Sequence, residues 1–122
     1  MDSTKNYERA LNPEDLSRFF VARANAGDVD GLVALYESKA VLACPDGQVA
    51  VGSKAIRGFY SELLVERSRF EPGEQQPTLR HGDLALTSSL LANGVVTAEI
   101  ARKQADGTWL WAIDQPSIAR VS

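Results

Sequence analysis

The chain has 122 residues, of which 44% are hydrophobic and 24% charged, with a net charge of −3. That length supports one domain with its own core. The composition is that of an ordinary soluble globular protein, and scattered Lys and Arg argue against a nucleic-acid partner.

No apolar run is long enough to span a bilayer. The N-terminus, Met1-Asp-Ser-Thr-Lys-Asn, lacks the apolar core of a signal peptide. A single cysteine, Cys44, forbids an internal disulfide and fits a reducing compartment, so the cytoplasm is expected. A single histidine, His81, leaves little for a metal site, and no metal or cofactor is expected.

Residues 1–11 read as a loose polar arm, and residues 12–122 as one domain. Asn12-Pro13-Glu14-Asp15 reads as a helix start, with Asn12 as cap, Pro13 in the first turn and acids following. Leu16, Phe19, Phe20 and Ala24 carry an apolar stripe to about Ala26. Gly27 ends that helix and Asp28 caps a short one, about Val29 to Tyr36. Val41 to Cys44 reads as a strand, Pro45-Asp46-Gly47 as a turn, and Gln48 to Val51 as a returning strand. Ser53 caps a third helix, Lys54 to about Glu66, with its stripe on Ile56, Phe59, Tyr60, Leu63 and Leu64.

Arg67 to Gln76 is polar and reads as a loop. Strands follow at about Pro77 to Arg80 and Leu84 to Leu91, with His81-Gly82-Asp83 as an exposed turn between them. Ala92-Asn93-Gly94 is a further turn. The last hairpin carries the strongest signal, because Asp106-Gly107 separates two β-prone runs. With those two residues as a type I′ loop, one face carries the pairs Gln104/Trp109, Arg102/Trp111 and Ile100/Ile113. The other carries Lys103/Leu110, Ala101/Ala112, Glu99/Asp114 and Thr97/Pro116. Three helices, a small inserted hairpin and four antiparallel strands make an α+β domain.

Residues 22–64 resemble a known family. Ala24-Asn-Ala-Gly-Asp-Val-Asp-Gly-Leu-Val-Ala-Leu-Tyr36, Ala40-Val-Leu-Ala-Cys-Pro45 and Gly52-Ser-Lys-Ala-Ile-Arg-Gly-Phe-Tyr60 look like the nuclear-transport-factor-2-like (NTF2-like) superfamily. The resemblance is closest to its SnoaL-like and ketosteroid isomerase-like branch. It implies a cone-shaped fold, a bent antiparallel sheet with three helices enclosing a largely apolar pocket. It also implies a homodimer formed through the sheet face. Ketosteroid isomerases place a general-base Asp where this chain has Cys44, an oxyanion-binding Tyr where it has Phe20, and a protonated Asp where it has Glu99. With two of these three roles missing, orthodox isomerase chemistry is not implied.

Glu99 and Asp114 are the leading catalytic candidates. Directly opposed carboxylates repel, so a buried pair keeps one proton near neutrality and can act as acid and base. The other reading is that they end near solvent or pair with a cation such as Arg23. Cys44 is a candidate nucleophile or a small buried hydrophobe. The expected pocket is lined by Phe20, Tyr36, Phe59, Tyr60, Leu86, Ser88 and Ala112, and its ligand is a small hydrophobic molecule. Trp109, Trp111, Ile113 and Ile100 form the expected dimer face. Two functions stand side by side. One is cofactor-free acid–base isomerase, cyclase or hydrolase chemistry on a carbonyl-bearing or polycyclic substrate. The other is a non-catalytic ligand-binding or assembly domain.

Overall fold

The computed structural model describes residues 6–67 and 69–121. It is an α+β fold in which three helices pack on one side of a bent, unclosed sheet. The helices are α1 (Asp15–Asn25), α2 (Val29–Val33) and α3 (Gly52–Glu66). The strands are β1 (Tyr36–Ala43), β2 (Val49–Val51), β3 (Glu74–Gln75), β4 (Leu79–His81), β5 (Leu84–Thr87), β6 (Ser89–Leu90), β7 (Val95–Lys103) and β8 (Trp109–Arg120). The main sheet runs β2-β1-β8-β7-β5-β4, and β3 joins through β6.

Local chemistry explains the helix starts. At α1 the Asn12 side chain does not cap. The Asp15 carboxylate instead accepts the Asn12 N–H at 3.1 Å, and the Asp15 N–H donates back to the Asn12 carbonyl at 3.0 Å. At α2 Asp28 caps as expected, accepting the Gly31 N–H at 3.0 Å. At α3 Ser53 lies inside the helix and Val51 takes the cap position without a side-chain bond.

Three expectations about elements change. First, α2 stops at Val33, and Tyr36 opens β1 rather than closing the helix. Glu37, Ser38 and Lys39 disguised this strand, because its start is irregular and its register with β8 shifts between Tyr36 and Val41. Second, β1 pairs parallel to β8, through Tyr36 with Trp111 and Leu42 with Asp114; the other pairings are antiparallel. Third, the expected strand Leu84 to Leu91 breaks at Ser88, and β3 lies in the expected loop, because β6 turns aside to pair with it.

The expected loose arm is only partly described. Residues 1–5 lie outside the described residues. Ala10, however, is bound to the start of β8, with its carbonyl accepting the Trp109 N–H at 2.9 Å. The Tyr7 hydroxyl donates to Asp28 at 2.9 Å. The core lies between the helices and the concave sheet face, on Leu16, Leu32, Leu35, Leu42 and Ile56. No helix among the described residues is long and apolar enough to cross a membrane.

Candidate functional site

The site is set by the register of β7 on β8. Its turn is not the expected two-residue type I′ loop. Asp106 keeps a negative φ and only Gly107 is left-handed, at φ +86°. The Gln104 N–H donates to the Thr108 carbonyl at 2.7 Å, and the Gly107 N–H to the Gln104 carbonyl at 2.9 Å. The loop therefore has a third residue, Ala105. Asp106 fixes it by accepting the Thr108 N–H and hydroxyl at 2.9 and 2.6 Å. The extra residue slips the pairing by one, giving Lys103 with Trp109, Arg102 with Leu110 and Ala101 with Trp111. A bulge between Ile100 and Ala101, with Ala112 as the additional residue on β8, reverses the slip. Beyond it Ile100 faces Ile113 and Glu99 faces Asp114.

The slip and the bulge cancel at the carboxylates but not at the tryptophans. Trp109 and Trp111 were expected on the outer face with Ile113 and Ile100. Both are 3% exposed and point into the core, whereas Ile113 is 50% exposed. The bulge inverts the strand's alternation between Trp111 and Ile113, so neither tryptophan belongs to an outer surface.

Glu99 and Asp114 are 7% and 6% exposed. The solvent-exposed reading of this pair is thus excluded. So is pairing to Arg23, whose guanidinium instead donates to the carbonyls of Gly31 and Glu8. The Asp114 carboxylate accepts the Tyr36 hydroxyl at 2.5 Å, and the Tyr36 hydroxyl lies 2.6 Å from that of Tyr60. Glu99 accepts the Thr87 hydroxyl at 2.6 Å. Burial pushes the Asp114 carboxyl up to about 7, opposed by the Tyr36 hydrogen bond and reinforced by the Glu99 charge. Burial also raises Glu99, opposed by hydrogen bonds from Thr87 and Thr97. Both members are thus raised, and the Asp114 carboxyl holds a proton toward neutral pH. Both tyrosines are pushed well above the ordinary phenol range by burial first and the Asp114 charge second, so they stay protonated donors.

The remaining expected residues divide. Phe20 is half-buried, with its ring 5.9 Å from Tyr60, 5.7 Å from Phe70 and 6.2 Å from Trp111. Phe59 lies 5.1 Å from Tyr60. Ala112 is the buried bulge residue. Leu86 is 40% exposed on the outer face and does not reach the site. The Ser88 hydroxyl is spent on the Thr97 carbonyl at 2.6 Å. Cys44 is half-buried, and burial raises its thiol, so it is no thiolate near neutral pH. His81 is exposed on β4.

Thr87 was missed. Leu86 and Ser88 were taken as the inward positions of this stretch, but the small residues Ala85, Thr87 and Ser89 face in.

A cavity of about 180 Å³ lies away from the carboxylates. It lies under the arm, against Tyr7, Arg23, Leu35 and Trp109. At the carboxylate site the space is filled by the rings of Phe20, Tyr36, Tyr60, Phe70 and Trp111.

Solved structures share this architecture at low identity. A protein from Thiobacillus denitrificans, provisionally named a calcium/calmodulin-dependent protein kinase type II association domain, superimposes with TM-score 0.70 at 16% identity, covering 89% of this chain and 96% of that one. A ketosteroid isomerase-like protein from Erwinia carotovora atroseptica gives 0.61 at 22% identity, covering 87% and 93%. A provisionally named dehydratase of the NTF2-like family from Streptomyces avermitilis gives 0.68 at 15% identity, covering 87% and 94%. At these identities the likeness is one of fold, and folds do not carry activities with them. No curated protein matches. The sequence pattern of the SnoaL-like domain matches residues 16–121, so the chain belongs to the SnoaL-like domain family.

Proposed function

We propose that this chain is a small-molecule enzyme working by cofactor-free acid–base chemistry, with Asp114 as the group that takes and returns the proton. The observation that carries this reading is the directly opposed, buried pair of Glu99 and Asp114, with the Tyr36 hydroxyl 2.5 Å from Asp114. A carboxyl titrating near neutrality can both accept and return a proton at working pH. Glu99, held by Thr87, keeps the negative charge that raises Asp114. Tyr60 and Tyr36 keep a hydrogen-bonded donor on the base. The surrounding aromatic side chains suit a hydrophobic, carbonyl-bearing or polycyclic substrate, and isomerisation or cyclisation is the reaction class. Orthodox ketosteroid isomerisation is not proposed, since Cys44 and Phe20 stand where that chemistry needs an Asp and a Tyr.

The test is proton exchange. Hydrophobic cyclic ketones incubated with the chain in D₂O should gain deuterium beside the carbonyl. Asp114→Asn should slow this by about a hundredfold or more. Absence of exchange across the panel, with both carboxyls titrating in the ordinary range by carbon NMR, would remove the proposal.

A second reading, a ligand-binding or assembly domain without catalysis, is favoured by one observation. Leu79, Leu86, Ile100, Ile113, Val41 and Val51 are successive cross-strand partners from β4 to β2. The row crosses the outer sheet face, with Leu79, Leu86, Ile113 and Val51 between 40% and 65% exposed. Such a row is suited to a second copy of this chain. Pairing through this row is compatible with either reading, because the row and the carboxylates lie on opposite faces of the sheet.

A further inference from the structure

The cavity under the arm has an apolar floor of Leu16, Leu35 and Trp109, and Arg9 and Arg23 reach it from the walls. The three floor residues are buried, and Arg23 is half-buried. The Arg23 guanidinium lies 4.7 Å from the centre of the Tyr7 ring and 5.1 Å from that of Phe19. It donates to the Gly31 carbonyl at 2.9 Å and to the Glu8 carbonyl at 2.7 Å. The second bond is to the arm, which roofs the cavity. A guanidinium has five N–H donors, so these two bonds leave most of them unused. None of the ion pairs among the described residues includes Arg23. Burial disfavours its charge, and Asp28 is the first group to offset this. The Asp28 carboxylate is already engaged, however, by the Tyr7 hydroxyl and the Gly31 N–H. Arg9 is held only loosely, 3.8 Å from Asp106. Against these two cations the cavity wall carries one carboxylate, that of Glu8, so positive charge prevails.

A partly desolvated guanidinium is best satisfied by a planar anion that meets its charge and its fork of donors together. Size narrows the class further. An apolar cavity of about 150 Å³ takes benzene, so one of about 180 Å³ takes a single ring with a small substituent. We propose that the cavity under the arm is a binding site, separate from the carboxylates, for a small monocarboxylic acid with a flat apolar body about the size of one aromatic ring. The acid group meets Arg23, and the body lies on Leu16, Leu35 and Trp109. The arm covers it, tied down where the Ala10 carbonyl accepts the Trp109 N–H and where Tyr7 donates to Asp28. A space this small has no room for a peptide or a nucleic-acid strand. Glu99 and Asp114 repel the same anion, so the two sites take different molecules, and this one stands whether or not the carboxylates catalyse.

The test uses benzoate and, separately, benzyl alcohol, which has the same ring without the charge. Each is titrated into uniformly ¹⁵N-labelled chain, with the Arg23 Nε–H and the Trp109 indole N–H assigned by triple-resonance NMR. Benzoate is expected to shift both resonances along one saturation curve, and benzyl alcohol to bind about tenfold or more weakly. Arg23→Lys keeps the charge but not the fork, and should bind benzoate about tenfold more weakly than the native chain. Equal binding of the two probes would show an apolar hole with no preference for an acid, and would overturn the assignment. So would saturation by benzoate that moves the Thr87 and Glu99 amides and leaves Arg23 in place. No shift at millimolar benzoate would mean that the cavity holds only water, and the site would fall. The decisive shifts are read on the native chain, so a variant that does not fold leaves the outcome intact.

Discussion

Asp114 links the site to stability. Folding raises its pKa to about 7, so the folded chain keeps a proton that the unfolded chain has already released. Stability from this group is complete below the ordinary carboxylate range and is lost as pH rises through about 7. Glu99 is raised in the same direction and adds to the slope. Urea unfolding should therefore show stability falling between about pH 4 and 7 and levelling above that. Asp114→Asn keeps an acceptor for Tyr36 without the charge. It should flatten part of the slope and be the more stable protein at about pH 8 while losing activity. A native chain of constant stability across this window would mean that the pair is not desolvated. Thr87→Val tests the partner carboxyl. It preserves shape and removes the hydroxyl that donates to Glu99 at 2.6 Å. The Glu99 carboxyl should move further up, and stability at neutral pH should drop by about 1–3 kcal/mol. Carbon NMR of the Glu99 carboxyl checks the first, and unfolding at pH 7 the second.

At the scale of elements, the last hairpin shows what the sequence could and could not reveal. Asp106-Gly107 marked the turn, and alternation marked both strands. Glu99 against Asp114 was legible, yet for an incomplete reason, because the three-residue loop and the Ala112 bulge were both invisible. Loop length depends on where one φ turns positive, and bulges carry no local signature when the extra residue is an alanine. The tryptophans were misplaced for the same reason, since a one-residue change inverts every side chain beyond it. Tyr36 was assigned to a helix because three polar residues hid the parallel pairing to β8, a contact far away in sequence. Two glycines make the turn geometry testable. Gly107 sits at φ +86° with open space around its Cα, so Gly107→Ala should cost only the backbone strain, about 1 kcal/mol. Gly94 has φ +89°, and an added Cβ would collide with the Val121 carbonyl. Gly94→Ala should therefore cost clearly more than Gly107→Ala and loosen the end of β8, where the Val121 N–H donates to the Gly94 carbonyl at 2.7 Å. Thermal unfolding ranks the pair, and equal losses would refute the difference in packing.

For the whole molecule, the helices cover only the concave face of the sheet, and the consequence is an apolar row on the convex face. Its centre is Ile113, 50% exposed between Ile100 and Val41. Strand pairing fixes the row, so its side chains cannot withdraw from water without local unfolding. A symmetric dimer would bring the same row of each copy together, since a two-fold interface uses one patch twice. A stable interface needs about 800 Å² from each partner, and a row spanning β4 to β2 crosses the full width of the main sheet. The tryptophans, buried in the same chain, contribute nothing to this surface. That changes which substitutions matter. Ile113→Lys places a charge at the centre of the row and should convert a dimer into monomer, because an unpaired charge is costly at a desolvated interface. Ile118→Lys, exposed at 60% near the end of β8 and outside the row, should leave the assembly intact. Light scattering reads both, with the native chain expected at twice its 13.2 kDa mass. A native chain that scatters as a single 13.2 kDa species at micromolar concentration would show that the row is left in water. The asymmetry of the fold, helices within and bare strands without, would then need another partner to account for it.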